Sequence, residues 1–200
     1  MGWFGPSRDE VWRELSKQID GEFVEGTFWR GGGKVQSRVG PWTITLDTYT
    51  VSTGKSSITY TRMRVPYANP DGFRFTIYRA GFFSEFAKLL GMEDIEVGDP
   101  EFDEAFILKG NDEYRVRELF GDAALRDRFR AQEKIRITVK DDEGWFGTQF
   151  PEGVDELSFE VVGVIKDVEV LKGLFAIFAD LLDRLVLIGS ATRRPPEVEL

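Results

Sequence analysis

The chain contains no cysteine and no histidine among its 200 residues. These absences exclude disulfide scaffolds, thiolate and imidazole metal ligands, and histidine proton switches. They also exclude Ser-His-Asp and Cys-His nucleophile systems. Long apolar runs are missing as well, because five charged residues interrupt the most apolar stretch, residues 168–188. That stretch falls short of the roughly 20 apolar residues that span a bilayer, so the sequence predicts no transmembrane segment.

The chain has fewer basic than acidic residues. The chain has 26 Lys and Arg against 35 Asp and Glu, a net charge of -9, which argues against duplex nucleic acid and anionic membranes as partners. The distribution is uneven, with a balance of +3 in residues 1–90 and −12 in residues 91–200. The first residues lack the pattern of a secretory signal, and Pro6 stands where a myristoylation motif needs Ser or Thr. We therefore expect a cytoplasmic protein.

The first half of the sequence is typical of consecutive antiparallel strands. Ser7 and Glu10 form a capping box that predicts a helix over residues 8–20. After it come five segments rich in Thr, Val, Tyr and Phe, separated by turns containing Gly, Pro or Asn. The segments are residues 22–30, 34–39, 43–50, 56–65 and 73–79. This half is predicted to be an antiparallel β meander.

The second half alternates between helical and strand patterns. A short helix is predicted over residues 82–90, followed by a β-α-α-β-β-α arrangement. Its elements are predicted at residues 105–109, 112–120, 123–131, 134–140, 156–164 and 167–187. We predict an α+β fold with the helices packed on one face of the meander. Residues 1–189 are expected to form a single domain, with a subdivision near 81–100 as the alternative, and residues 190–200 a flexible tail.

The densest carboxylate cluster is residues 93–104. In an extended stretch Asp99, Glu101 and Asp103 would project to one side, and oxygen ligands are what Mg²⁺ and Ca²⁺ require. The segment does not match an EF-hand loop, and crowded carboxylates also occur as a solvated surface edge. Both interpretations, a hard-cation site and a surface edge, stay open. No other cofactor is predicted.

Arginines on the predicted strands form a candidate anion-binding patch. Arg62, Arg64 and Arg74 fall at outward-facing positions of strands expected to be neighbours, near Tyr60 and Tyr78. Such a patch would suit a phosphorylated partner or a single-stranded nucleic acid. The alternative is ordinary cross-strand pairing with Asp, Glu or Thr.

Three large aromatic residues, Trp145, Phe146 and Phe150, lie on a glycine-containing loop between strands. If exposed, they would be anchors of a protein-partner interface. If buried, they would cover the core beneath the loop.

One part of the chain resembles a group of uncharacterised bacterial proteins. The pattern D-I-x-x-G-x-x-x-F-D-x-x-F runs from Asp94 to Phe106, and the resemblance extends over residues 73–170. It includes Gly144-Trp145-Phe146-Gly147. The resemblance implies a bacterial origin and no assigned activity, and it places no functional residue.

The sequence favours a non-catalytic binding or adaptor domain with an unidentified protein partner, because every strong catalytic motif is missing. A divalent-metal-binding domain or metal-dependent hydrolase using the 93–104 segment is one alternative. A carrier of an apolar ligand is another, suggested by 17 Phe and 5 Trp. The oligomeric state is left open.

Overall fold

The computed structural model describes residues 5–26, 32–52, 54–82, 94–141, 150–196, 198 and 200. The helices are α1 (Arg8–Gln18), α2 (Pro100–Ala105), α3 (Glu113–Phe120), α4 (Ala123–Arg130) and α5 (Val168–Leu187). The strands are β1 (Glu22–Val24), β2 (Lys34–Val39), β3 (Trp42–Ser52), β4 (Ser57–Ala68), β5 (Phe75–Arg79), β6 (Phe106–Gly110), β7 (Arg136–Lys140) and β8 (Val154–Val162). The α+β class is confirmed. The predicted 82–90 helix lies almost entirely outside the described residues.

All eight strands form one antiparallel sheet in the order β1-β2-β3-β4-β8-β7-β5-β6. The first four strands are a meander, as predicted, and the second half extends the same sheet. The fifth strand departs from the prediction, because β8 and β7 lie between β4 and β5. Strand β8 pairs with β4 over nine residue positions, from Tyr60↔Val162 to Ala68↔Val154. In a simple meander β5 would pair with this edge of β4, but the edge is already paired with β8.

Sequence alternation gives the sheet two different faces. One row across it is apolar and almost completely buried: Val35, Leu46, Met63, Phe159, Ile137, Ile77 and Leu108. The next row, one residue along each strand, is polar throughout: Gln36, Thr45, Arg64, Ser158, Thr138, Thr76 and Lys109. Because side chains alternate between faces, a one-residue slip of any strand would exchange these rows. We call the second side the polar face.

All five helices contribute to the core on the apolar side of the sheet. Aspartates cap four of them, at positions 99, 112, 122 and 167, with side chains that accept from backbone N–H groups of the first turn. Helix α1 uses the predicted capping box, in which the Ser7 backbone N donates to Glu10 at 2.7 Å.

The phenylalanines of the second half pack against one another. Phe75, Phe102, Phe106, Phe120 and Phe129 are all buried and make successive ring contacts with centroid separations between 4.7 and 6.4 Å. These side chains, which suggested an apolar carrier, are engaged in core packing.

No helix in the described part of the chain is long and apolar enough to cross a membrane.

Candidate binding surface on the polar face

The centre of the polar face is an ion-pair cluster of Asp47, Arg62, Arg64 and Glu156. Arg62 holds Asp47 with two hydrogen bonds, Nε to Oδ1 at 2.9 Å and Nη2 to Oδ2 at 3.0 Å. Arg64 Nη2 donates to the same Oδ2 at 2.6 Å, and its Nη1 lies 4.0 Å from Glu156 Oε2. Cross-strand register explains the cluster, since Asp47 pairs with Arg62 and Arg64 lies diagonally beside them.

The pKa values of the two carboxyl groups are shifted in opposite directions, although burial disfavours ionisation of both. Burial of Asp47 opposes its ionisation, but the hydrogen bonds and charges of Arg62 and Arg64 outweigh it, so its pKa lies below the usual range. Glu156 is 1% exposed, and burial raises its pKa despite the charge of Arg64. The cluster therefore contains one firmly ionised carboxylate and one whose charge is disfavoured.

Tyr49 and Tyr60 flank the cluster. Their rings stack with centroids 5.0 Å apart, and the Arg62 guanidinium lies 5.0 Å from the Tyr49 ring centroid. The Tyr49 hydroxyl donates to Glu160 Oε1 at 3.2 Å. Burial, together with the negative charge of Glu160, raises the pKa of Tyr49 to about 12. Tyr49 is thus a neutral hydrogen-bond donor at physiological pH.

Two adjoining grooves run along this face. The charged groove has a volume of about 1310 Å³, and its lining includes Arg8, Lys34, Asp47, Tyr49, Arg62 and Arg64. The segment groove has a volume of about 410 Å³, and its strand wall includes Lys34, Gln36, Arg38, Thr43, Thr45 and Pro66. Lys34, Gln36 and Leu200 line both, so the grooves are continuous.

The other wall of the segment groove is the chain itself. Pro195, Pro196, Val198 and Leu200 line it, and Lys34 Nζ donates to the main-chain oxygen of Leu200 at 2.7 Å. Val198 and Leu200 are half-buried. The flexible tail predicted from residue 190 stays a prediction; Ser190 and Ala191 are buried, and Pro195, Pro196, Val198 and Leu200 line the segment groove.

The three arginines of the predicted anion patch do not form one patch. Arg62 and Arg64 lie together on β4, where Asp47 pairs with both, as the cross-strand alternative proposed. Arg74 precedes β5, three strands away, and contacts Asp155 at 3.2 Å and Asp141 at 2.9 Å. The insertion of β8 and β7 separates it from β4.

The predicted metal ligands lie on α2 rather than on an extended stretch. Asp99 is the N-cap and Pro100 the first helical residue, a combination that starts a helix efficiently. Asp99 Oδ2 accepts from Arg126 at 2.8 Å and Arg130 at 2.6 Å, and the Arg130 hydrogen bond contributes most to lowering its pKa to about 2. Asp103 accepts from three backbone N–H groups, and Glu101 is exposed. Protein donors therefore already engage two of the three carboxylates.

Within the described ranges, no group of three or more acidic side chains is placed to hold a metal ion. Metal binding by Asp99, Glu101 and Asp103 stays a prediction, which thermal unfolding can test. The structure favours the surface-edge alternative, because protein donors engage Asp99 and Asp103, so we expect the unfolding midpoint in EDTA to change by less than about 1 °C in millimolar Mg²⁺, Ca²⁺ or Mn²⁺. A rise of several degrees with one ion would instead establish a site.

Of the predicted aromatic anchors, Trp145 and Phe146 lie outside the described residues, and Phe150 is half-buried. The sequence analysis missed Asp47 as the partner of the arginines. The sequence contained a signal for this pairing. A β3–β4 hairpin in which Ser52 pairs with Ser57 has a register that places Asp47 opposite Arg62. The groove lined by Pro195, Pro196, Val198 and Leu200 was not predicted either.

The raised pKa of Glu156 predicts a pH-dependent effect of Glu156→Gln. A carboxyl whose pKa rises on folding adds stability below its ordinary value of 4.5, and that stability is lost as pH rises through the folded-state pKa. We therefore compare the unfolding midpoints of Glu156→Gln and of the parent protein at each pH. The midpoint of the variant minus that of the parent should rise as pH increases from 4.5 to 8. Glu152→Gln, at an exposed position, is the control. A difference from the parent that stays constant with pH would contradict this account of Glu156.

Comparison with protein-family models gives no match, and neither does comparison with curated proteins. Among solved structures, the chain is similar to the crystal structure of the mycobacterial trehalose monomycolate transport factor A, TtfA. The TM-score is 0.48 and the sequence identity 7%, over 96% of this chain and 98% of that chain. Similarity at this level supports no inference about function.

Proposed function

We propose that this protein is a non-catalytic binding module whose polar face holds an extended acidic segment of a partner protein. The observation that supports the proposal is the pair of adjoining grooves on the polar face, one of which Pro195, Pro196, Val198 and Leu200 line opposite β2 and β3. Lys34 Nζ donates to the main-chain oxygen of Leu200 at 2.7 Å, so a basic side chain on β2 is placed to contact an oxygen ligand at the grooves.

Charge complementarity supports an acidic ligand. Among the described residues that line the two grooves, five are basic and two acidic, although the chain as a whole carries -9. The basic residues are Arg8, Lys34, Arg38, Arg62 and Arg64, and the acidic ones Glu25 and Asp47. A positive groove on an acidic protein attracts acidic segments and disfavours basic ones.

The segment's own sequence indicates the chemistry of the partner. Residues 195–200 read Pro-Pro-Glu-Val-Glu-Leu. Two prolines favour extended backbone before binding, which lowers the entropy cost of holding it. Val198 and Leu200 are half-buried, so alternate apolar residues supply contact with the sheet. We propose a partner segment that combines proline with alternating acidic and apolar residues.

The test is binding of a fluorescent peptide with the sequence of residues 195–200, Pro-Pro-Glu-Val-Glu-Leu, followed by anisotropy. We expect saturable binding that weakens as salt increases, because salt screens exposed charges. Lys34→Glu should weaken binding about tenfold, since it removes a hydrogen bond and places like charge beside the ligand. The matched control is Lys172→Glu, a half-buried lysine on α5, a helix that packs on the apolar side of the sheet.

Two results would contradict the proposal. One is the absence of saturable binding by the parent protein. The other is equal weakening by Lys34→Glu and Lys172→Glu, which would indicate a general charge effect. A second peptide with lysine at both glutamate positions should bind more weakly than the first, and equal affinity would exclude an acidic preference.

A further inference from the structure

We infer that the polar face carries an apolar docking patch, which holds an aromatic side chain of the same acidic partner segment. The apolar patch consists of Val51, Ile58 and Val162 together with the rings of Tyr49 and Tyr60. This inference rests on the proposed function and adds the kind of side chain that the partner segment presents beside its acidic residues.

Strand register brings the five side chains of the patch together. Tyr49 pairs with Tyr60 and Tyr60 with Val162, so these three form one row across β3, β4 and β8. Val51 pairs with Ile58 in the row two residues further along β3. Each of the five lies an even number of residues from polar-face positions of its own strand. Because side chains alternate between the faces of a sheet, all five lie on the polar face.

The patch is exposed although its side chains are largely apolar. Val162 is 66% exposed, and Val51 and Ile58 are exposed as well. Tyr49 and Tyr60 are half-buried, and their rings stack with centroids 5.0 Å apart. Single exposed apolar side chains are ordinary, whereas a contiguous group of them marks an interaction site. The patch therefore calls for a partner that covers it.

The surroundings of the patch indicate the chemistry of that partner. Tyr49 also lines the charged groove, so the patch and the groove are continuous. Basic side chains outnumber acidic ones among the described residues that line this groove, and the Arg62 guanidinium lies 5.0 Å from the Tyr49 ring centroid. An acidic segment in the groove would thus reach the patch, where an aromatic side chain would extend the Tyr49–Tyr60 stack. A second copy of the chain fits less well, because face-to-face copies would bring two basic grooves together.

Strand spacing sets the position of the aromatic residue in the partner segment. Arg62 and Tyr60 are two residues apart on β4. Side chains two residues apart on an extended chain lie on one side of it, about 7 Å from each other. A segment that lies along β4 with an acidic residue beside Arg62 therefore places an aromatic residue beside Tyr60 when one residue separates the two. The expected pattern is an acidic residue, any residue, then an aromatic residue.

Two peptides test the inference. Both begin with Pro-Pro-Glu-Val-Glu-Leu, and a final tryptophan in one and serine in the other lies two positions after the second glutamate. We expect the parent protein to bind the tryptophan peptide about tenfold more tightly than the serine peptide, measured by fluorescence anisotropy.

The double variant Ile58→Thr/Val162→Thr removes apolar contact but keeps the β-branched side chains that suit a strand. In this variant we expect the tryptophan advantage to fall at least threefold, while the serine peptide binds as it does to the parent. The matched control is Leu187→Thr, which changes an exposed aliphatic side chain on α5 and should keep the full advantage. Unfolding midpoints of all forms show whether each remains folded.

The outcomes separate this inference from the proposed function. A tryptophan advantage below threefold in the parent, or a fall of less than threefold in the double variant, overturns the inference and leaves the acidic preference standing. An equal fall in Leu187→Thr also overturns it. Absence of binding by both peptides overturns the inference and the proposed function together. Sedimentation velocity gives the last outcome, because dimers of the parent that the double variant does not form would show that a second copy covers the patch, against the inference.

Discussion

Replacement of Asp47 by alanine is expected to reduce the free energy of unfolding by about 3 kcal/mol. The substitution leaves two guanidinium groups next to each other with their shared carboxylate removed. The Arg64 side chain is 6% exposed and the Arg62 side chain 22%, so water replaces the lost partner poorly. Breaking a buried pair from one side is costly because the remaining charge stays buried. Urea unfolding, with the midpoint and slope measured separately, gives the effect.

The matched control is Glu113→Ala, which removes the partner of Arg117 in an exposed pair on α3, with side-chain exposures of 63% and 55%. Exposed pairs of this kind contribute about 0.5 kcal/mol or less. Losses of similar size for Asp47→Ala and Glu113→Ala would contradict the role given to the ion-pair cluster. In that case the polar face would not depend on Asp47 for its arrangement.

Phe120→Ala is expected to cost about 3–5 kcal/mol, the range for removing a buried phenylalanine ring. Phe120 is fully buried at the centre of the phenylalanine cluster. Its ring centroid lies 5.5 Å from that of Phe75, 5.7 Å from Phe129 and 6.4 Å from Phe102. Its loss would leave a cavity where α3, α4 and the β5–β6 half of the sheet meet. Urea unfolding again measures the change.

The control on the same helix is Tyr114→Ala, where the side chain is 75% exposed and a change below about 0.5 kcal/mol is expected. A loss below about 1 kcal/mol for Phe120→Ala would show that the cluster is loosely packed. It would also favour the apolar-carrier alternative, since a loosely packed cluster of rings could admit an apolar ligand.

The sequence predicts the local structure of this protein well and its strand order only in part. Most element boundaries follow from signals within a few residues, such as the Ser7 capping box and the aspartates that cap the later helices. Helix α2 was missed because its many carboxylates suggested an extended edge, although Asp99-Pro100 is a helix start. The placement of β8 beside β4 depends on contacts between residues about a hundred positions apart, and alternation within one strand carries no information about its neighbour.

The candidate binding surface could be predicted less fully, for the same physical reason. Arg62 and Arg64 were correctly placed on one face because alternation decides this within a strand. Their grouping with Arg74 assumed that β5 lies next to β4, and the structure separates those strands. The contact of Lys34 with Leu200 joins positions 166 residues apart, so local patterns could not predict it.

The most direct test of the central claim is to find where the acidic peptide binds. A photoreactive benzophenone side chain at the position of Val198 in the 195–200 peptide, irradiated with the full chain and followed by peptide mapping, identifies the contacted residues. We predict crosslinks to the polar face of β2 and β3, at Gln36, Arg38, Thr43 or Thr45, which line the segment groove. Crosslinks confined to α1, α4 or α5 on the opposite side of the sheet would contradict the claim that the polar face is the binding surface.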